Sequence, residues 1–141
     1  MYKSKEINID SPSVAAKTGI GMVYQHFMLV DTLTVAENMV LGFEPSIMGK
    51  FDKKKARQDV IDVAEKYGLN INPDSKVEDL SVGIQQRIEI LKILFKGAEL
   101  LIFDEPSAVL TPQEVKELYQ IMRNLVKEGK TIIFITHKLQ E

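Results

Sequence analysis

The sequence predicts an α/β fold in which short parallel strands alternate with helices, and three observations carry that prediction. The first is Leu100-Leu101-Ile102-Phe103, four apolar residues that lead into Asp104-Glu105-Pro106. A run so short, closed by a proline, fits a strand of a parallel sheet covered on both faces better than a helix. The second is a complete helix start at Thr111-Pro112-Gln113-Glu114, with Thr at the N-cap, Pro at the first helical position and Glu three residues after the cap. Val115, Leu118, Met122 and Leu125 then recur at helical spacing as far as Gly129, where a left-handed cap is expected. The third is another apolar run, Thr131 to Thr136, which ends on His137. Strand, helix and strand form a unit whose connection should be right-handed, which makes the two strands parallel and close together in the sheet.

That arrangement has a chemical consequence, because open parallel sheets bind ligands at the carboxyl ends of their strands. Asp104 is expected to hold a hydrated Mg²⁺, an ion that takes one or two carboxylates plus phosphate oxygens from the substrate. Glu105 is expected to face the attacking water as a general base. His137 leaves the same sheet edge within reach of the same ligand, and a phosphate-sensing role is expected of it.

The upstream elements follow from their caps. Ser81 is the natural N-cap of a helix that carries Ile84, Ile88, Leu91 and Phe95 along one side and closes at Gly97. Its free backbone N–H groups, the Ser81 hydroxyl and the close approach allowed by Gly83 make an anion site. Thr34 caps a helix with Glu37 at its third position and Val35, Met39 and Val40 on an apolar side. Phe27, Met28, Leu29 and Val30 precede it with no regular period, and serve either as a docking surface for a partner helix or as core filler. A further helix runs from Asp52 to Tyr67 with Gly68 as its stop. Lys53, Lys54 and Lys55 occupy its first turn, where the helix dipole disfavours them, and read as a solvated face. Near the start, Tyr2 to Ile9 reads as peripheral β-structure and Ser11-Pro12 opens a short helix ending near Gly19. Gly21-Met22-Val23-Tyr24-Gln25 reads as a short strand ending in Gln.

Composition supports a packed domain. Of the 141 residues, 45% are hydrophobic, enough to supply a core, and 18 basic against 20 acidic residues give a net charge of −2 that offers no sign of nucleic-acid binding. With no cysteine there is no disulfide framework, and no apolar run reaches transmembrane length. A membrane role would have to come through a partner.

Taken together, these motifs resemble the ATP-binding subunit of ABC transporters. Ser81 to Arg87 is similar to the signature motif, Leu100 to Glu105 to Walker B, Ala108 to Thr111 to the D-loop, His137 to the switch histidine, and Gly21 to Gln25 to the Q-loop. The resemblance implies a partial P-loop NTPase core of ABC type with parallel strands plus an α-helical subdomain. Residues 1–26 would end the N-terminal core part including the Q-loop, 27–96 would form the helical subdomain with the signature motif, and 97–141 would run from Walker B to the switch histidine. It further implies ATP and Mg²⁺ as ligands, with Gln25 and Asp104 at the metal, Gln25, Ser81 and Gly83 at the nucleotide, and Glu105 and His137 as catalytic residues. The implied partners are transmembrane permease subunits, bound through the helical subdomain, and a second ABC module in a head-to-tail dimer or fused repeat. The implied place is the cytoplasmic face of the cell membrane.

Departures from the family pattern narrow this expectation. No G-x-x-x-x-G-K-[ST] phosphate loop occurs; Gly129-Lys130-Thr131 satisfies its last three positions, but Asn124 stands where the first Gly is needed. The expectation is therefore a fragment of a longer subunit whose phosphate loop lies upstream of Met1, with apolar surface left uncovered. Val82 and Ile84 replace the commonest Gly and Gln of the signature, and Thr111 replaces the D-loop Asp. These variants are similar to those of importers for simple sugars or nucleosides. The alternatives are a soluble ABC-type ATPase not linked to transport and a non-catalytic interaction module. The first of these, in its DNA-repair form, inserts a long coiled coil between Q-loop and signature, and no sustained heptads lie between Gln25 and Ser81.

Overall fold

The computed structural model describes residues 8–41, 46–47 and 50–137. Their elements follow in the order α1 (Pro12–Lys17), β1 (Ile20–Val23), α2 (Val35–Val40), β2 (Ser46–Ile47), β3 (Lys50–Phe51), α3 (Lys53–Lys66), α4 (Val82–Phe95), β4 (Leu100–Asp104), α5 (Pro112–Lys127) and β5 (Thr131–Ile135). The caps read from the sequence are the caps that form. Thr34 and Thr111 each make a full capping box with Glu37 and Glu114, Asp52 caps α3, Ser81 caps α4, and Gly68, Gly97 and Gly129 lie just beyond the helices with positive φ.

The three longer strands form one parallel sheet in the order β1-β4-β5. Gly21 and Val23 lie opposite Leu101 and Phe103, which lie opposite Ile132 and Phe134, so these six residues share one face. That face is the core side. Leu101 and Phe103 are fully buried, together with Ile88, Ile90 and Leu91 of α4 and Leu125 of α5. The approach of α4 explains the glycine in β1, because a Cβ at Gly21 would lie 2.8 Å from Ile93 Cβ.

The other face is not covered as the sequence reading expected for the Leu100–Phe103 strand. Ile133 and Ile135 remain 45% and 43% exposed, and Ile20, Met22, Leu100 and Ile102 are only half-buried beside α1. The burial alternation along β5 follows directly, since every second side chain points away from the helices. This is the uncovered apolar surface that the sequence led us to expect.

The strand bounds and the short elements also differ from the expectation. Strand β1 ends at Val23, so Gln25 stands in a bend two residues beyond it. Strand β5 ends at Ile135, one residue short of the expected Thr136. The antiparallel pair β2–β3 has no counterpart in the sequence reading, because two-residue strands carry no readable alternation. The expectation for Tyr2 to Ile9 falls mostly outside the described residues, and Asn8 to Asp10 form no strand. Lys53, Lys54 and Lys55 are exposed, as the solvated-face expectation has it, and the Lys53 ammonium also lies 3.0 Å from Glu37 Oε1, which ties the start of α3 to α2.

Candidate functional site

The carboxyl ends of β1, β4 and β5 meet at one edge of the sheet. Val23 pairs with Phe103, and Asp104 with Ile135, so Gln25, Asp104, Glu105 and His137 all leave the sheet on that edge. Glu105 is the pivot. Its φ of 44° makes it the single positive-φ residue other than glycine among the described residues, and Pro106 disfavours the right-handed helical region for the residue before it. Such conformations cost free energy and persist where the surroundings over-determine them. Here the Glu105 N–H donates to the Ile135 carbonyl at 2.9 Å, and the Glu105 carbonyl accepts from Ala108 at 3.1 Å.

The Glu105 side chain meets His137 directly, with Oε1 2.8 Å from Nε2. The imidazole is 86% exposed and the carboxylate mostly covered, so the pair presents one open side to solvent. Asp104 is half-buried and Gln25 is exposed, the latter in a shallow surface hollow it shares with Val82, Gln85 and Val109.

The start of α4 is built differently from the sequence expectation, because its donors already have an anion. Glu114 Oε1 accepts from the Gly83 N–H at 3.1 Å and the Ser81 hydroxyl at 3.3 Å, while Oε2 accepts from the Thr111 N–H at 3.0 Å and the Thr111 hydroxyl at 2.9 Å. One carboxylate thus joins the positive ends of two helices. The Thr111 N–H first, then the Thr111 hydroxyl, hold its carboxyl below the ordinary carboxylate range; burial opposes them, and Gly83 and Ser81 add to the lowering. The fit is close, since a Cβ at Gly83 would come within 2.6 Å of Glu114 Oε1.

Two more polar contacts bind α4 to the segment after β4. Gln86, 2% exposed, donates through Nε2 to the Pro106 carbonyl at 2.8 Å, and its Oε1 is buried with no hydrogen-bond partner. Arg87 pairs with Glu117 of α5. The sequence reading missed Gln86 and the second contact of Glu114. Their partners lie 20 and 31 to 33 residues away, and helical periodicity carries no trace of such contacts.

Comparison with known proteins bears on what this edge is for. The family model described as ABC transporter matches residues 2–108. The chain belongs to the ABC transporter family. It is 62% identical over 131 residues to the guanosine import ATP-binding protein NupO of Bacillus subtilis (strain 168), covering 93% of this chain and 26% of that protein. It is 60% identical over 139 residues to the nucleoside import ATP-binding protein NupA of Lactococcus lactis subsp. cremoris (strain MG1363), covering 99% of this chain and 28% of that one. Among solved structures, cbiO1 from Clostridium perfringens, part of the ABC transporter complex cbiONQ, superposes with a TM-score of 0.70 at 28% identity over 91% of this chain and 51% of cbiO1. The chain therefore spans about a quarter of the length of these curated relatives. The family match covers both the α4 start and the strand end that carries Asp104 and Glu105.

The donor set at the edge suits magnesium. Among the described residues no three His, Asp or Glu side chains gather into a metal-binding group. A half-buried carboxylate at a strand end, without a protein cage around it, fits an ion that keeps several waters and takes its other ligands from phosphate.

Proposed function

We propose that this chain is part of the ATP-binding and hydrolysing subunit of an ABC importer for a nucleoside or simple sugar. The observation that carries the reading is the Glu105–His137 pair, set beside Asp104 at the carboxyl edge of a parallel sheet. Asp104 and Gln25 would hold Mg²⁺, which when bound neutralises phosphate charge. Glu105 takes the proton of the attacking water, and His137, released from Glu105 toward the ligand, holds the terminal phosphate. The names of the relatives favour a nucleoside as cargo.

No helix among the described residues is long and apolar enough to cross a membrane; the membrane-spanning partners in this reading are permease subunits. We place their docking on the helical part, residues 27–96, and the subunit peripherally at the cytoplasmic membrane face. A second ABC module closes head to tail, so that Ser81 and Gly83 meet a phosphate held by its partner module.

Glu114 adds a condition to that closure. Its carboxylate holds the Gly83 N–H and the Ser81 hydroxyl, so a phosphate reaches them only as the carboxylate withdraws. In a chain extended upstream through a phosphate loop, Glu114→Gln is expected to lower the ATP concentration needed for pairing of two modules about tenfold, the scale of one charge-assisted hydrogen bond. Sedimentation velocity against ATP concentration measures it, and an unchanged midpoint would mean that no phosphate competes with Glu114.

Calorimetry with Mg-ATP tests the reading as a whole. Binding by the extended chain and not by the present one is the expected result. Binding by the present chain with the same affinity would place the phosphate site on residues other than those assigned.

A further inference from the structure

Residues 27–30 lie in neither helix nor strand, yet their backbone is fastened on both sides. The Met28 N–H donates to Glu89 Oε1 at 2.8 Å, and the Met28 carbonyl accepts from Lys92 Nζ at 2.9 Å. Glu89 and Lys92 stand one turn apart on α4, 3.5 Å from each other, with side chains only 6% and 16% exposed. Two residues on, Asn38 of α2, fully buried, repeats the arrangement: its Oδ1 accepts from the Val30 N–H at 2.7 Å and its Nδ2 donates to the Val30 carbonyl at 3.0 Å. The side chains alternate accordingly, with Met28 69% and Val30 43% exposed and Leu29 packed on the core.

A buried carboxylate paired with a largely covered ammonium is a poor choice for stability alone, because apolar residues of similar volume often serve as well or better. What an ion pair supplies here is a fixed position for the backbone of one residue, Met28, held through both its N–H and its carbonyl. That residue lies three positions after Gln25, about 10 Å of chain at most. The helix that holds it also begins at Ser81 and Gly83.

We propose that Glu89 and Lys92 are positioning residues that clip the Gln25 segment to α4, so that Gln25 and the Ser81–Gly83 helix start move as one body. The proposal rests on the roles given above to Gln25, Ser81 and Gly83. It places the reference frame of Gln25 on α4, although Gln25 follows β1 in sequence. Among the charged groups around the clip, Lys96 stands at the C-cap of α4, and its own ammonium is held below the usual lysine range by burial first and then by Lys92, with Glu89 opposing.

The test combines two readouts. In the present chain, amide hydrogen exchange at Met28 should match that of Ile90 and Leu91 in α4. Glu89→Ala should raise the Met28 rate at least about tenfold, the cost of one lost charge-assisted bond, while the α4 amides stay protected. In the extended chain the same substitution should lower kcat by a similar factor with KM for ATP unchanged. Glu89→Gln, whose Oε1 still accepts from Met28, should retain most of the turnover. If α4 itself loses protection in Glu89→Ala, Lys92→Met is judged on the same two readouts. Unchanged Met28 exchange would remove the clip, and faster exchange with unchanged kcat would reduce it to a structural contact. An extended wild-type chain that binds no Mg-ATP would sink the underlying functional reading, and the positioning role with it, while leaving the exchange result standing.

Discussion

Glu105→Gln, in a chain extended to include a phosphate loop, is expected to lower ATP turnover by about 10²–10⁴-fold, the range set by a general base. The geometry makes this substitution clean. The Glu105 backbone is fixed by the Ile135 carbonyl and by Ala108, so a side chain of equal size leaves the turn in place. Gln Oε1 can still accept a hydrogen bond from His137, which keeps the neighbouring imidazole where it is. What the substitution removes is the ability to take a proton from water. Single-turnover hydrolysis, with ATP binding measured in parallel, separates the two effects: binding should persist while the chemical step fails. Turnover at the original rate would mean that Glu105 is not the base, and His137, on the other side of the same 2.8 Å contact, would become the candidate.

The sequence made this edge legible because its signals are local. Capping boxes at Thr34 and Thr111, the Ser81 cap and the glycines after α3, α4 and α5 are complete within a few residues, and each formed as read. The parallel pairing of β4 and β5 also followed from a short strand-helix-strand connection. What stayed hidden depends on partners far away in the chain. Glu114 reads as the third residue of its own helix and nothing more; its contact with Gly83 exists only once α5 lies beside α4. Gln86 and Glu89 interrupt the apolar pattern of α4 and look like solvent-facing positions. Both are buried, because α4 packs against β1, α2, α3 and α5 and has little solvent face to offer. The same crowding explains why the polar atoms there bind backbone groups of otherwise irregular segments, Met28 and Pro106.

Phe103→Ala is expected to destabilise the chain by about 3–5 kcal/mol, the cost of truncating a fully buried aromatic. That is a large share of the stability of a typical domain, about 5–15 kcal/mol. The ring sits on the core face of the central strand, between Val23 and Phe134 in register, and belongs to the cluster formed with α4 and α5. It also immediately precedes Asp104 and Glu105, so a cavity there loosens the strand end that presents both carboxylates. Ile133→Ala provides the contrast. Ile133 is the opposite neighbour of Ile102 on the uncovered face, and its loss should cost about 1 kcal/mol or less. Urea unfolding measures both, with the midpoint shifting and the slope unchanged if the transition stays two-state. A larger loss at Ile133 than at Phe103 would mean that the uncovered face is the packed one. Because side chains alternate along a strand, that outcome would reverse the facing of every residue in the sheet and with it the placement of Asp104 at the site.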